Sequence, residues 1–210
     1  MKTLRVLLVT LMLTSAGMAR AGMYAKFAGL YSSPGDIQVN NAAAFRASLK
    51  SNMGMAIALG YKISAVRADI EIQSFSNSTS SGSTNTGNAS TTGGYKQFNG
   101  FVNAYVDLPS FVGLSGYVGA GFGEARVDLS HLSAMQGSSN VVQVSGRDKA
   151  FGYQVMAGVQ YHLLGQATIH AGYRWLHKND ITLQNGVGNT MQKLTLGTDR
   201  MFELGVAIGF

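Results

Sequence analysis

Residues 201–210 read "MFELGVAIGF". Phe202, Leu204, Val206, Ile208 and Phe210 are large and apolar, and Glu203, Gly205, Ala207 and Gly209 between them are small or charged. This is the period-two pattern of a strand that shows one apolar face. A soluble sheet would present its second face to water, where Lys, Glu, Thr and Ser are usual and glycine is poorly suited. Glycine and alanine on that face fit a crowded interior instead. The apolar stripe then faces something other than water, and a bilayer is the solvent that would accept it.

The same alternation recurs upstream. Met53, Met55, Ile57, Leu59 and Tyr61 oppose Gly54, Ala56, Ala58, Gly60 and Lys62. Ala68, Ile70 and Ile72 oppose Arg67, Asp69, Glu71 and Gln73. Phe98, Val102, Ala104, Val106 and Leu108 oppose Asn99, Phe101, Asn103, Tyr105 and Asp107. Further along, Phe151, Val155, Val159, Tyr161 and Leu163 oppose Gly152, Gln154, Gly158, Gln160 and His162. Ile169, Ala171, Tyr173 and Trp175 oppose Thr168, His170, Gly172 and Arg174. Eight such segments fall near 23–31, 52–62, 66–75, 95–108, 112–125, 149–163, 167–177 and 199–210. An apolar stripe of eight steps, at about 3.3 Å per residue and a tilt near 40°, spans roughly 20 Å, close to the ~25 Å apolar band of outer-membrane barrels. Aromatic residues gather at both ends of the band. Tyr61, Phe111, Tyr161 and Phe210 lie at one, and Tyr31, Phe98, Phe122, Phe151, Trp175 and Phe202 at the other, as interfacial girdles would.

The connections alternate strictly in length. Ile63–Ala65, Pro109–Phe111 and Leu164–Gln166 are short, whereas 32–51, 76–94, 126–148 and 178–198 are long. Tight periplasmic turns and long extracellular loops are the plan of an outer-membrane barrel. A closed sheet is also required, because no backbone edge can meet lipid. The expected fold is therefore all-β: an eight-stranded antiparallel up-and-down transmembrane β-barrel. The second long loop, "SNSTSSGSTNTGNASTTGG", is low in complexity and is expected to be irregular and mobile.

The N-terminus reads "MKTLRVLLVTLMLTSAGMARA". Lys2 and Arg5 precede a short apolar run, and Ala19-Arg20-Ala21 fits a cleavage site. This predicts a signal peptide over 1–21, cut after Ala21, and a single barrel domain over 22–210. Cleavage removes three of the cations behind the formal charge of +6, so the basic balance does not argue for nucleic acid. The chain has no cysteine, which excludes disulfides and thiolate metal sites.

On the inward parity fall Lys26, Lys62, Arg67 and Arg174 with Asp69, Glu71, Asp107 and Glu203. Charges in so narrow a lumen are costly unless paired, so a plug of internal ion pairs is expected. A conducting path is the alternative. The loops are expected to carry Arg46, Lys50, Lys96, Arg126, Arg147, Lys149, Lys178, Lys193 and Arg200 against Asp36, Glu124, Asp128, Asp148, Asp180 and Asp199. They also carry the apolar residues Val141, Val142 and Val144.

Three motifs invite a catalytic or ligand-binding reading. "GYVGAGFG" at 116–123 is glycine-rich, but no helix or βαβ pattern follows it, and its glycines are better explained as room for neighbours such as Tyr117. His162 and His170 could meet across a hairpin, yet no third metal ligand is evident. His131 and Ser133 have the spacing of a base and a nucleophile on outer-membrane lipid A deacylases, but Ala134 stands where those enzymes carry Asn. No cofactor and no enzymatic activity are expected.

"MYAKFAGLYSS", "YVGAGFG", "AGYRWL" and "FELGVAIGF", in that order and spacing, make the chain resemble the small bacterial outer-membrane barrels of the opacity-protein and surface-antigen kind. These are similar in architecture to the OmpA membrane domain and OmpX. The resemblance implies a monomer in a Gram-negative outer membrane. It implies that Leu204, Val206, Ile208 and Phe210 form a signal read by the barrel-assembly machinery. It also implies loops that meet lipopolysaccharide, host cells or the environment. The functions to weigh are then loop-mediated adhesion or an envelope-structural role, a narrow channel for small solutes, and, least favoured, a lipid A hydrolase.

Overall fold

The structure is a computed structural model that describes residues 22–39, 45–84, 87–136, 139–163, 166–184 and 191–210. The expected signal peptide at 1–21 lies outside the described residues.

The described chain forms twelve strands: β1 (Gly22–Ser33), β2 (Ile37–Val39), β3 (Phe45–Leu49), β4 (Asn52–Ile63), β5 (Val66–Thr84), β6 (Gly87–Asp107), β7 (Leu114–Gln136), β8 (Ser139–His162), β9 (Ala167–Lys178), β10 (Ile181–Gln184), β11 (Met191–Leu196) and β12 (Asp199–Gly209). Eight of them close a barrel. Antiparallel ladders run β1–β4–β5–β6–β7–β8–β9–β12, and β12 returns to β1. The register is continuous across the closing pair, from Tyr24 opposite Gly209 to Ser33 opposite Arg200. Every membrane-level edge is thereby paired, as a bilayer demands.

The parity read from the sequence is the parity of the barrel wall. Met53, Met55, Ile57, Leu59 and Tyr61 point outward, as do Phe202, Leu204, Val206, Ile208 and Phe210. In water such a surface would be an aggregation hazard, but against acyl chains it is the stable arrangement. Inside, bare backbone leaves space for rings. A Cβ on Gly119 would stand 2.5 Å from the Tyr105 ring, and one on Gly158 would stand 2.7 Å from that of Tyr117. The glycines of "GYVGAGFG" lie on β7, and Gly119 there makes room for an aromatic side chain.

Two expectations about the loops need correction. Among the described residues of segments 76–94 and 126–148 the chain is strand, not irregular. β5 pairs with β6 as far as Thr84 opposite Gly87, and β7 with β8 as far as Gln136 opposite Ser139. The polar tract holds no apolar alternation to signal a strand. It extends because two chains already in register continue their backbone hydrogen bonds, and Ser and Thr tolerate the extended conformation. These strands run about ten residues, roughly 30 Å, beyond the tops of β1, β4, β9 and β12.

The other two long connections fill the missing sectors. β2 and β3 form a hairpin, as do β10 and β11; β11 pairs with β2, and β3 pairs with the outer part of β5. β10 lies beside β8, where the Thr182 N–H donates to Asp148 Oδ2 at 3.0 Å and the Asn179 N–H donates to the Phe151 carbonyl at 2.9 Å. A second ring, β5–β6–β7–β8–β10–β11–β2–β3, therefore stands on the first and shares four strands with it. We call it the crown.

Candidate functional site

Each luminal side chain is set by strand parity, and its partner by the barrel's stagger. Arg174 of β9 is buried at the centre. Its Nη1 lies 2.6 Å from Glu71 Oε1 and its Nη2 donates to Glu71 Oε2 at 2.9 Å. It also pairs with Glu203 of β12. Lys26 of β1 reaches Glu71 at 2.7 Å and Asp69 at 3.2 Å, and donates to the Tyr105 hydroxyl at 2.9 Å. His170 Nε2 stands 2.8 Å from Glu203 Oε1.

Amides and hydroxyls complete the network. The Tyr24 hydroxyl donates to Asp69 at 3.0 Å, and Asn103 Nδ2 donates to the other Asp69 oxygen at 2.7 Å. Gln73 donates to Glu71 at 2.7 Å, and Gln154 donates to Asn103 at 2.7 Å. Buried ions are tolerable only when their remaining donors and acceptors are met in this way. At the short-turn end, Lys62 and Arg67 both pair with Asp107, at 2.7 and 2.9 Å. The Arg67 guanidinium lies over the rings of Tyr105 and Tyr117, at 4.8 and 5.4 Å. The eight charged residues expected inside thus meet in two groups, one central and one at the periplasmic mouth.

Outward of the central group the lumen turns apolar. Leu30, Ala28, Ala56, Phe75, Phe101, Leu176 and Met201 form one buried cluster, with Leu30, Leu176 and Met201 wholly inaccessible. Above it lies a third charge site that the sequence reading misplaced. Lys178 and Asp199 were expected in the loops, but they are buried and paired at 2.6 Å. Lys178 also donates to Gln97 at 3.1 Å and to the Tyr95 hydroxyl at 3.3 Å. The physical reason is the crown, which carries the wall past the membrane and keeps inward parity meaningful there. The signal was present: Lys178 continues the inward series His170, Gly172, Arg174, Leu176. In the crown itself, Ile37, Ile181, Leu194 and Leu196 are buried.

The crown's outer surface carries exposed ion pairs: Lys149–Glu124 at 2.8 Å, Arg147–Asp128 at 2.6 Å and Lys193–Asp180 at 2.8 Å. The hydrogen bond from Lys193 holds the Asp180 carboxyl below the usual carboxylate range. Its stabilisation is therefore present at neutral pH and lost as the pH falls through that lowered value, and for an exposed pair it is small.

His131 and Ser133 lie on the outer part of β7 rather than in a loop, and their side chains are outside the described ones. So are those of Val141, Val142 and Val144. His162 and His170 both face the lumen from the wall near the periplasmic turn, where His162 Nδ1 lies 3.0 Å from Thr168 Oγ1. Among the described residues no three His, Asp, Glu or Cys side chains form a metal-binding group.

A closed antiparallel sheet with lipid-facing apolar bands and a polar, side-chain-filled interior defines an integral outer-membrane β-barrel. The chain belongs to the outer membrane protein beta-barrel domain family, whose profile matches residues 6–210, and its place is the outer membrane. It is similar in fold to Neisserial surface protein A, with a TM-score of 0.59 and 18% identity over 91% of this chain and 100% of that one. It is likewise similar to OprG from Pseudomonas aeruginosa, with a TM-score of 0.57 and 14% identity over 91% of this chain and 97% of that one. An uncharacterized protein of Brucella abortus strain 2308 is 37% identical over 81 residues, which cover 37% of this chain and 28% of that protein. The chain thus matches well under half the length of these curated relatives.

Proposed function

We propose that this protein works at the cell surface through its crown, as an interaction or adhesion module or as a structural element of the envelope, and that it neither conducts nor catalyses. The observation that carries this reading is the lumen. Arg174, Glu71 and Glu203 fill its centre, and Leu30, Leu176 and Met201 are wholly buried outward of them. A path for solute would have to break buried ion pairs and then open an apolar seal. What remains for function is the part that leaves the membrane.

The crown offers chemistry for such contacts. Lys96 and Arg126 are exposed on strands that carry Phe98 and Phe122 of the outer girdle, at the height where lipopolysaccharide phosphates sit. A host or environmental ligand would meet the ends of the β5–β6 and β7–β8 hairpins. The protein acts as a monomer in this reading, and Leu204, Val206, Ile208 and Phe210 serve the assembly machinery before they serve the lipid.

Two measurements test the proposal. In planar bilayers the purified barrel should give no steady channels; reproducible conductance that is abolished by filling Gly158 or Gly172 would establish the narrow-channel reading instead. In cells, cutting β5–β6 and β7–β8 back to tight turns should preserve insertion and heat-modifiable gel mobility while removing surface binding. A barrel trimmed in this way that still supports full adhesion would refute it. Lipid A mass that changes between wild type and Ser133→Ala would reopen the hydrolase reading.

A further inference from the structure

The barrel is not filled along its whole length. A cavity of about 450 Å³ opens at the short-turn end, and its lining includes Lys62, Arg67, Gln160, His162 and Thr168. Its lining reaches outward to Tyr24 and His170, which contact Asp69 and Glu203 of the central ion-pair group, so we treat it as a vestibule.

Its electrostatics are unbalanced. Lys62 and Arg67 share one carboxylate, that of Asp107. Two cations against one anion leave an uncompensated positive charge among these side chains. Lys62 gives Asp107 only one of its three donors, and its side chain is 26% accessible, so the others are free to point into the cavity. Arg67 commits Nε and Nη2 to the same carboxylate, which leaves Nη1.

A second, independent feature lies in the same wall. Gln160 is only 3% exposed, and its Nε2 is buried without a hydrogen-bond partner. An unmet buried donor is costly, and native structures rarely leave one without a reason. The luminal amides of Gln73, Gln154 and Asn103 all donate within the network. Gln160 differs from them: its Nε2, on the wall of the cavity, meets no partner among the described residues.

We infer that this vestibule binds a phosphate group from the periplasmic side, with Lys62, Arg67 and Gln160 as its donors. A tetrahedral oxyanion supplies the missing negative charge and several acceptors at once, which a neutral solute does not. The volume accommodates a phosphate together with the small group that bears it. Binding there requires no passage through the barrel and no part of the crown.

The test is titration of the full barrel, in uncharged lauryl maltoside micelles, with inorganic phosphate followed by phosphorus NMR. Saturable line broadening is expected. It should weaken at least about tenfold, equivalent to ~1.4 kcal/mol, in Lys62→Met and in Gln160→Leu, and stay unchanged in Lys50→Met at the far end. Retained heat-modifiable mobility shows that each variant is folded. Competition with short-chain phosphatidylglycerol distinguishes the sources: displacement assigns the site to a lipid headgroup, and its absence to a soluble phosphate, and both sustain the inference. No saturable broadening, or broadening equally strong in both vestibule variants, would overturn it.

Discussion

Arg174 and Glu71 hold each other across the full width of the barrel. β9 and β5 are four strands apart whichever way the ring is followed, and the guanidinium still meets the carboxylate through two nearly parallel bonds of 2.6 and 2.9 Å. A bidentate pair of this kind is geometrically demanding, and here it sets the separation of opposite walls.

Arg174→Met should therefore cost about 3–5 kcal/mol, because it leaves Glu71 and Glu203 buried without their main partner. Arg174→Lys should recover only part of the loss, since one ammonium cannot make the forked contact. Urea unfolding in phosphatidylcholine vesicles, read through the fluorescence of the single tryptophan, Trp175, would measure both. A methionine variant as stable as wild type would show that the pair contributes nothing net.

The outer face makes a separate prediction. Val206 sits midway along the lipid-facing stripe of β12, flanked by Phe27 on β1 and Ile169 on β9. Val206→Lys should cost about 2–4 kcal/mol in bilayers, the penalty of a cation near the midplane. The same assay reads it, and an unchanged midpoint would mean that this face does not meet acyl chains.

One periplasmic turn stores strain. Val112 has φ of +48° and Gly113 of +80°, between Phe111 and Leu114, which bridge to one another. A β-branched residue is ill suited to that region, at a cost of about 1–2 kcal/mol. Val112 is 79% exposed, so packing does not compensate. Val112→Gly should stabilise the barrel by about 1 kcal/mol, seen as a higher urea midpoint. A lower midpoint would show that the valine makes a contact worth more than its strain.

Much of this was legible in the sequence, for a physical reason. Lipid outside and a narrow lumen inside impose parity so strongly that Lys26, Arg67, Asp69, Glu71, Arg174 and Glu203 could be placed inward from alternation alone. Pairing was not legible. Arg174 meets Glu71 and Glu203 because of the stagger between strands, which no single segment encodes. The crown was hidden for another reason. Residues 76–94 are Ser, Thr, Asn and Gly almost throughout, so their strand character comes from ladders begun at Val66 and Asp107 and not from side chains. Without the crown, Lys178 and Asp199 read as loop charges.

The joint between the two rings makes the last prediction. The chain leaves β1 at Ser33 for the crown and returns from it into β12 at Asp199, and these two crossings touch. The Gly197 N–H donates to the Asp36 carbonyl at 3.0 Å, and the Gly35 N–H donates to Asp199 Oδ1 at 3.3 Å. A Cβ on Gly35 would stand 2.5 Å from the Gly197 carbonyl carbon, which is backbone and cannot swing aside. Gly35→Ala should therefore pry the crossings apart, at about 1–3 kcal/mol, the usual cost of overpacking. The damage should fall on the crown, because β1 and β12 remain paired below it from Tyr24 to Ser33. Hydrogen exchange by mass spectrometry is expected to accelerate in β2, β3, β10 and β11 while the amides of β1 and β12 stay protected and gel mobility stays heat-modifiable. Because the crown is the proposed interaction surface, surface binding should weaken with it. Faster exchange throughout the barrel would instead show that the two rings unfold as one cooperative unit.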